Sequence, residues 1–441
     1  MKPDSGTGAR SRIDAFIVAI NQACDRKGWY TSTAHLQLAS LEICMACRSV
    51  STLRLKVDNG TPSQLLDDAV SPDTRSGKNL RATRVPALRP LELTWFLPLS
   101  ALSQNRRVFD HVECFNLDSM SDDAVDNVVW PRRLGRLFLG EWFNCSLDNV
   151  GLPASLREIT LSCKLLDMTY SIRGSECFNQ PIDRVVWPSS LERIIFSNVF
   201  NQPIDGVSWP ASLLTVDFGH AFNQGVDGVV WPASLQHLIF GNRFNQPVDR
   251  VSWPASLQQL GLGRCFDQPI DRVSWPDSLK QLTFGASFNQ PIDRVSWPAS
   301  LQQLNFGSNF NQPIRMVRWP ELLKQLGFVG DFFNQSINGI SWPASLQQLT
   351  FGASFNQPIN GVSWPASLQH LIFGYRFNQP INGVSWPASL QHLIFGYRFN
   401  QPIDRVSWPA SLQQLAFGDD FNQPIDRSIV ASIATAARIW R

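Results

Sequence analysis

Long apolar runs are missing from this 441-residue chain: no stretch of 18 apolar residues occurs, which excludes a transmembrane helix. An excess of one charge is missing as well. The 38 Lys and Arg nearly balance 36 Asp and Glu, for a formal net charge of +2. That balance excludes a strongly basic nucleic-acid binder, and 44% apolar residues exclude a disordered chain. No His-Glu-x-x-His, Gly-rich phosphate loop or nucleophile elbow is present, so the chain reads as a non-enzyme that needs no cofactor. The eight cysteines, at 24, 44, 47, 114, 145, 163, 177 and 265, follow no framework spacing, which points to reduced thiols in a cytoplasmic protein. Cys44 and Cys47 lack the second pair that a zinc finger requires and read as buried small residues. Asp4 and Asp14 flank the modest apolar run Ile13–Ile20 and Asn21-Gln22 end it, so a cleaved signal peptide is not expected.

Tyrosine is scarce, with four residues against 16 Trp, 29 Phe and 29 Pro, a skew expected when one short unit is copied many times. Phe178, Phe200, Phe222, Phe244, Phe266, Phe288, Phe310, Phe333, Phe355, Phe377, Phe399 and Phe421 open successive copies at a step of 22 residues, except 23 between Phe310 and Phe333. The copy at 288–309 reads FNQPIDRVSWPASLQQLNFGSN. Its large apolar residues fall at positions 1, 5, 8, 10, 14, 17 and 19. Ser121–Trp142 and the stretch opening at Phe143 are degenerate copies, and Leu165–Cys177 interrupts the phase. The one-residue expansion is confined to Val329–Phe332, which marks that stretch as a loop.

A single copy cannot bury its own apolar faces, whereas stacked copies share one continuous core. Leu-x-x-Leu-x-Phe followed by Gly, as at Leu301, Leu304, Phe306 and Gly307, predicts a short strand pairing in parallel with its counterpart in the next copy. Pro at positions 4 and 11 opposes a helix in the return path, leaving it extended or 3₁₀. Phe-Asn-Gln-Pro-Ile followed by Pro-x-Ser-Leu-x-x-Leu-x-Phe-Gly resembles the FNIP repeat family, a branch of leucine-rich-repeat-like proteins, over residues 178 to 427. Trp-Pro, as at Trp297-Pro298, departs from the Leu-Pro more usual in that family and changes core volume more than fold. The resemblance implies a leucine-rich-repeat-like β-solenoid that binds other proteins, with no catalytic residues to carry over.

Three polar columns follow from the stacking. Asn at position 2, for example Asn179, Asn201, Asn223 and Asn245, is expected to bond neighbouring loop backbones, with Gln at position 3 as a second rung. Asp or Asn at position 6, as in Asp205-Gly206 and Asn360-Gly361, reads as turn chemistry. Arg184, Arg250, Arg272 and Arg294 already neighbour that carboxylate column, so no metal is expected there.

The ends differ from the array. Residues 1–70 read as a helical N-terminal region or cap, with helical patterns near 12–27 and 34–48 and a strand-like Leu53, Leu55 and Val57. Residues 71–90 read as a basic linker, 91–177 as degenerate repeats with an insertion, 178–427 as the regular array, and 428–441 as a C-terminal capping helix.

Positions 16, 18, 21 and 22 are expected to point outward along a concave sheet, and there the copies differ. The best candidate patch comes from the identical copies 355–376 and 377–398, which align His370 with His392, Tyr375 with Tyr397, and Arg376 with Arg398 beside Asp419 and Asp420. Tyr and Arg offer area and directional donors to a partner, whereas an Arg398–Asp420 contact that only neutralises a surface ladder would contribute little. His237, His370 and His392 share one repeat position, which marks copying rather than catalysis. The function expected is a protein-binding scaffold that engages neither nucleic acid nor membrane. An F-box-type ubiquitin-ligase adaptor, carried by Leu38–Leu55, is the alternative, and a secreted glycan or peptide receptor the weaker one.

Overall fold

The computed structural model describes residues 54–57, 91–95, 112–117, 128–140, 143–161, 177–425 and 438–440. Two compact units divide the chain: Met1–Gln180 with Val185–Leu191, and Pro181–Arg184 with Glu192–Arg441. The F-box-like segment before Arg54, the helical patterns near 12–27 and 34–48, the pair Cys44 and Cys47, and the basic linker 71–90 lie outside the described residues.

In the first unit five strands run parallel in chain order: β1 (Arg54–Val57), β2 (Leu91–Trp95), β3 (Val112–Leu117), β4 (Arg136–Leu139) and β5 (Glu158–Thr160). The register slips once, between Leu91 and Glu92, and then settles to the 22-residue offset that sets Arg136 opposite Glu158. Trp130, Leu134, Leu137 and Leu139 are buried, followed by Phe143, Leu147, Val150, Leu156 and Ile159. These are the apolar positions of the repeat, so the degenerate copies build the same turn as the regular ones.

The second unit is a parallel β-solenoid. Its strands are β6 (Arg193–Ile195), β7 (Thr215–Asp217), β8 (His237–Ile239), β9 (Gln259–Gly261), β10 (Gln281–Thr283), β11 (Gln303–Phe306), β12 (Gln325–Phe328), β13 (Gln348–Phe351), β14 (His370–Ile372), β15 (His392–Ile394), β16 (Gln414–Ala416) and β17 (Arg438–Trp440). Each from β6 to β16 occupies positions 16 to 18 or 19 of its copy, and consecutive strands of that run pair through equivalent residues, as Gln281 with Gln303 and Gln303 with Gln325. Across the expanded copy the offset becomes 23, yet Gln325 still meets Gln348. Three turns bend the rest of each copy. Val207 N donates to Ile204 O at 3.3 Å, Leu213 N to Pro210 O at 3.1 Å, and Phe244 N to Gly241 O at 3.0 Å. No helix occurs among the described residues, and the return path is extended between turns, as proline at positions 4 and 11 requires.

Positions 1, 5, 14, 17 and 19 form the core. Phe288, Ile292, Leu301, Leu304 and Phe306 are each at most 1% exposed. Where position 19 is phenylalanine it stacks on the next position 1 ring at 4.1 to 4.3 Å, as Phe240 on Phe244, and position 1 rings follow one another at about 6 Å, as Phe288 and Phe310. The Trp column stacks at 6.1 to 6.4 Å and meets the position 19 rings edge-on, as Trp297 against Phe306. Twelve indole Nε1 atoms of that column, from Trp130 to Trp408, are enclosed without a hydrogen-bond partner among the described residues. Each is a desolvation cost that a Leu at the same place would not carry, accepted here in exchange for aromatic area.

The polar columns tie copies together. Asn201 Oδ1 accepts Asn223 N at 2.8 Å and Gln224 Nε2 at 3.2 Å, and the pattern repeats to Asn422 and Gln423. Asp267 stands in for one asparagine and accepts Asn289 N and Gln290 Nε2 in the same way. The expected Asn and Gln rungs are therefore both present. A serine column at position 13 adds a tie that was not foreseen: Ser300 Oγ donates to Leu279 O at 2.7 Å, and Ser389 Oγ to Leu368 O at 2.7 Å. Glycine at position 20 is a steric requirement. A Cβ added at Gly374 would overlap the carbonyl oxygen of Gly352, and one at Gly396 the carbonyl oxygen of Gly374.

Two expectations are corrected. Arg438–Trp440 is a strand, not part of a C-terminal helix over 428–441, and it sets Ile439 opposite Leu415 and Trp440 opposite Ala416. The last copy leaves a row of unpaired backbone donors and acceptors, and a strand satisfies them where a helix cannot; residues 428–437 lie outside the described part. Cys177 is disulfide-bonded rather than reduced. Spacing along a chain does not reveal which thiols a fold brings within bonding distance.

Asn289→Ala strips the side-chain acceptor from Asn311 N and leaves Gln312 Nε2 only the Asn289 backbone carbonyl, and should cost about 1–3 kcal/mol in urea unfolding. Asn289→Asp should cost clearly less, as Asp267 accepts the same two donors; equal losses would mean that the Oδ1 acceptor is not what ties the copies. Gly374→Ala should lower stability by roughly 1–3 kcal/mol through overpacking, and an unchanged thermal midpoint by circular dichroism would remove the close approach as a constraint.

Candidate functional site

The identical copies 355–376 and 377–398 repeat every side chain one turn apart. Strands β14 and β15 set His370 opposite His392 and Ile372 opposite Ile394, while Leu371 and Leu393 between them face the core. The imidazoles stack at 4.5 Å with 3° between their planes. Past the strands, Tyr375 and Tyr397 stack at 4.9 Å and are 45% and 40% exposed. Arg398 Cζ lies 5.5 Å from the Tyr375 ring centroid, a cation–π contact. Backbone bonds fix the loop: Arg376 N donates to Ala353 O at 2.8 Å, Arg398 N to Tyr375 O at 2.9 Å, and Asp420 N to Tyr397 O at 3.1 Å.

The predicted residues thus converge on one strip of strand face and adjoining loop. His370 and His392 are half-buried on the strands, Tyr375, Arg376, Tyr397 and Arg398 are exposed in the loops, and Asp419 and Asp420 are exposed in the next one. Among the described residues no ion pair links Arg398 to Asp420; the guanidinium rests on tyrosine instead. Ile372 and Ile394, at the outward position 18, stand opposite each other on the same strands as the histidines and are half-buried. Alternation along the strand already places them outward, though the candidate patch does not include them.

Burial pushes the His370 imidazole below its ordinary range, and the neighbouring His392 pushes it further. His392 Nδ1 is enclosed without a hydrogen-bond partner among the described residues. Towards the other end of the unit, Asp217 registers between Ile195 and Ile239. Burial raises its carboxyl pKa, against the lowering from its bond to Gly219 N at 3.1 Å and from Arg193. Among the described residues no cluster of three or more His, Cys, Asp or Glu has the arrangement of a metal site.

A second irregular patch lies in the copy 310–332. Met316, Leu322, Val329 and Phe332 are 75%, 52%, 64% and 57% exposed. The inserted residue accounts for one of them, Val329, whereas Phe332 fills the outward position 22 that Asn309 holds in the preceding copy. Gly330 takes over the close contact with the preceding copy, at Gly307 and Ser308, and Val329 is left outside. Leu322 replaces the tying serine of position 13.

The repeat model FNIP Repeat matches residues 178–220, 222–265, 266–309, 288–317, 310–354, 355–398 and 399–429. The chain belongs to the FNIP repeat family. Among solved structures, this FNIP protein is similar to CroV588, described as a novel circular LRR protein, at 35% identity and TM-score 0.63. The match covers 80% of this chain and 46% of that one, so the chain spans about half its length. It is also similar to the Toll–Spatzle complex of Drosophila at 11% identity and TM-score 0.55, covering 88% of this chain and 49% of that one, a likeness of fold alone. No curated protein matches the chain. The FNIP array is accordingly a leucine-rich-repeat-like scaffold, and the structure extends the repeated turn N-terminally through residues 128–161, beyond the matched segments.

With its pKa lowered in the folded state, His370 binds fewer protons folded than unfolded as pH falls through the ordinary imidazole range. Stability should therefore be complete above that range and decline on acidification through it. His370→Gln with His392→Gln, matching Gln348 and Gln414 in the flanking copies, should flatten this part of the thermal-midpoint profile; an unaltered profile would show that the stacked histidines contribute nothing.

Proposed function

We propose that this FNIP protein is a non-catalytic scaffold that binds a protein partner through the outward strand face and the loops beyond it. The contact centres on His370, Tyr375, Arg376, His392, Tyr397 and Arg398, with Asp419 and Asp420 at its margin. The observation carrying this reading is the pair of stacked tyrosines, 45% and 40% exposed, with Arg398 laid over one ring. Each phenol presents area together with a hydroxyl, and stacking holds both in one orientation before binding. Little side-chain entropy is then lost on association. The isoleucines beneath supply an apolar centre, and the arginines and aspartates a polar rim, which is the usual division of labour in an interface.

The test is affinity copurification of the intact chain beside a variant with Tyr375, Arg376, Tyr397 and Arg398 all changed to Ala, both checked by circular dichroism. Specific partners should fall at least tenfold in the variant, equivalent to about 1.4 kcal/mol or more of binding energy. The same partners at the same yield would move recognition to another part of the strand face.

A further inference from the structure

Three consecutive copies differ from the rest at their first turn. Where Asp271-Arg272, Asp293-Arg294 and Asp404-Arg405 carry carboxylate and guanidinium 3.7 to 4.0 Å apart, copies 333–354, 355–376 and 377–398 carry Asn338-Gly339, Asn360-Gly361 and Asn382-Gly383. All six of these residues are exposed. Two of these turns close with a hydrogen bond: Val362 N donates to Ile359 O at 3.3 Å and Val384 N to Ile381 O at 3.2 Å. The glycines sit at φ of 72°, 80° and 78°, a region closed to most other residues. Nothing lies within 4 Å of where a Cβ would stand on Gly361 or Gly383. No hydrogen bond among the described residues engages the amide nitrogens of those two glycines or the side chains of Asn360 and Asn382.

We infer that Asn338, Asn360 and Asn382 are sites of spontaneous deamidation, because in these open turns the glycine nitrogen and the asparagine side-chain amide are adjacent, solvated and unengaged. The glycine nitrogen attacks asparagine Cγ. A C–N bond forms, the Cγ–Nδ2 bond breaks, and ammonia leaves with the proton lost by the glycine amide. Water then opens the cyclic imide at either carbonyl to give aspartate or isoaspartate, and no oxidant or reductant takes part. Glycine is the residue that leaves this approach unobstructed. The Asn column at position 2 is an internal contrast. There the residue that follows is glutamine, and Oδ1 is held by two donors, as Asn289 is by Asn311 N and Gln312 Nε2.

The consequence is a change of charge along one edge. Three conversions take the formal net charge from +2 to −1 (2 − 3 = −1). The three turns hold the same place in consecutive stacked copies. The new carboxylates therefore lie on successive rungs, and glycine occupies the place where Arg272, Arg294 and Arg405 provide a counter-charge. The aspartate product only restores what other copies already hold, as in Asp205-Gly206 and Asp227-Gly228, whereas isoaspartate adds a methylene to the backbone of a two-residue turn.

The test is timed incubation of the full chain at body temperature in mildly alkaline buffer, followed by peptide mapping. Asn338, Asn360 and Asn382 should each show replacement of NH₂ by OH, while Asn201, Asn223, Asn245, Asn289 and Asn311 stay unchanged. The acidic species on anion exchange should include one that coelutes with an N338D/N360D/N382D variant. A synthetic peptide spanning Ile359 to Val362 measures the unrestrained reaction. Conversion of the peptide with none in the folded chain would overturn the inference, as would equal conversion of the position 2 asparagines.

Discussion

Everything in this solenoid depends on the in-register pairing of each short strand with its own counterpart one turn away. Because Gln281 faces Gln303 and Gln303 faces Gln325, every strand side chain is set against its equivalent in the next copy, and at the repeated positions against a copy of itself. A residue type survives at a given position only if it tolerates its own company. Phenylalanine does so by stacking, asparagine by offering an acceptor above and a donor below, and serine by reaching one carbonyl back. A column of bare carboxylates does not, and where aspartate recurs at position 6 an arginine mostly follows it.

The same rule shapes the recognition strip. Two successive identical copies turn a single tyrosine into a stacked pair and a single histidine into another, so the duplication enlarges the surface without new chemistry. It also builds in antagonism. Aromatic stacking is favourable for neutral rings, but two imidazoles 4.5 Å apart resist sharing positive charge, and burial of His370 adds to that resistance. The strip is thus most uniform when its histidines are neutral and its cations are confined to the loop.

The frame was legible in the sequence because it is periodic. Phe at positions 1 and 19, Leu at 14 and 17, the Asn and Gln rungs and the extended return path all follow from a 22-residue step and from residues whose physical preferences are strong. Less legible was whatever depends on contact with the neighbouring copy. Ser300 recurs at its position as plainly as Asn289 does, but nothing in its type reveals that its hydroxyl reaches Leu279 O. The requirement for Gly374 arises from a carbonyl in the preceding copy. At the C-terminus, Ile433, Ala436 and Trp440 suggest a helical face, yet the open edge of β16 recruits Arg438–Trp440 as a strand, because unpaired backbone groups outweigh an amphipathic pattern. Of the candidate site, the alignment of His, Tyr and Arg pairs could be read from the duplication, while the placement of Arg398 on tyrosine rather than near aspartate is a matter of rotamer and could not.

The expanded copy shows how the array keeps count. Adding one residue between Phe310 and Phe333 leaves Gln325 opposite Gln348, Phe328 opposite Phe351 and Gly330 in the close-packed place of the turn. The array is therefore indexed by its glycines and strands, and chain length ahead of Gly330 is free to vary. The surplus residue there is extruded to the surface with whatever side chain it brings, as Val329 is. Such a seam lets a repeat protein acquire surface character at one turn while every core column continues through it unbroken.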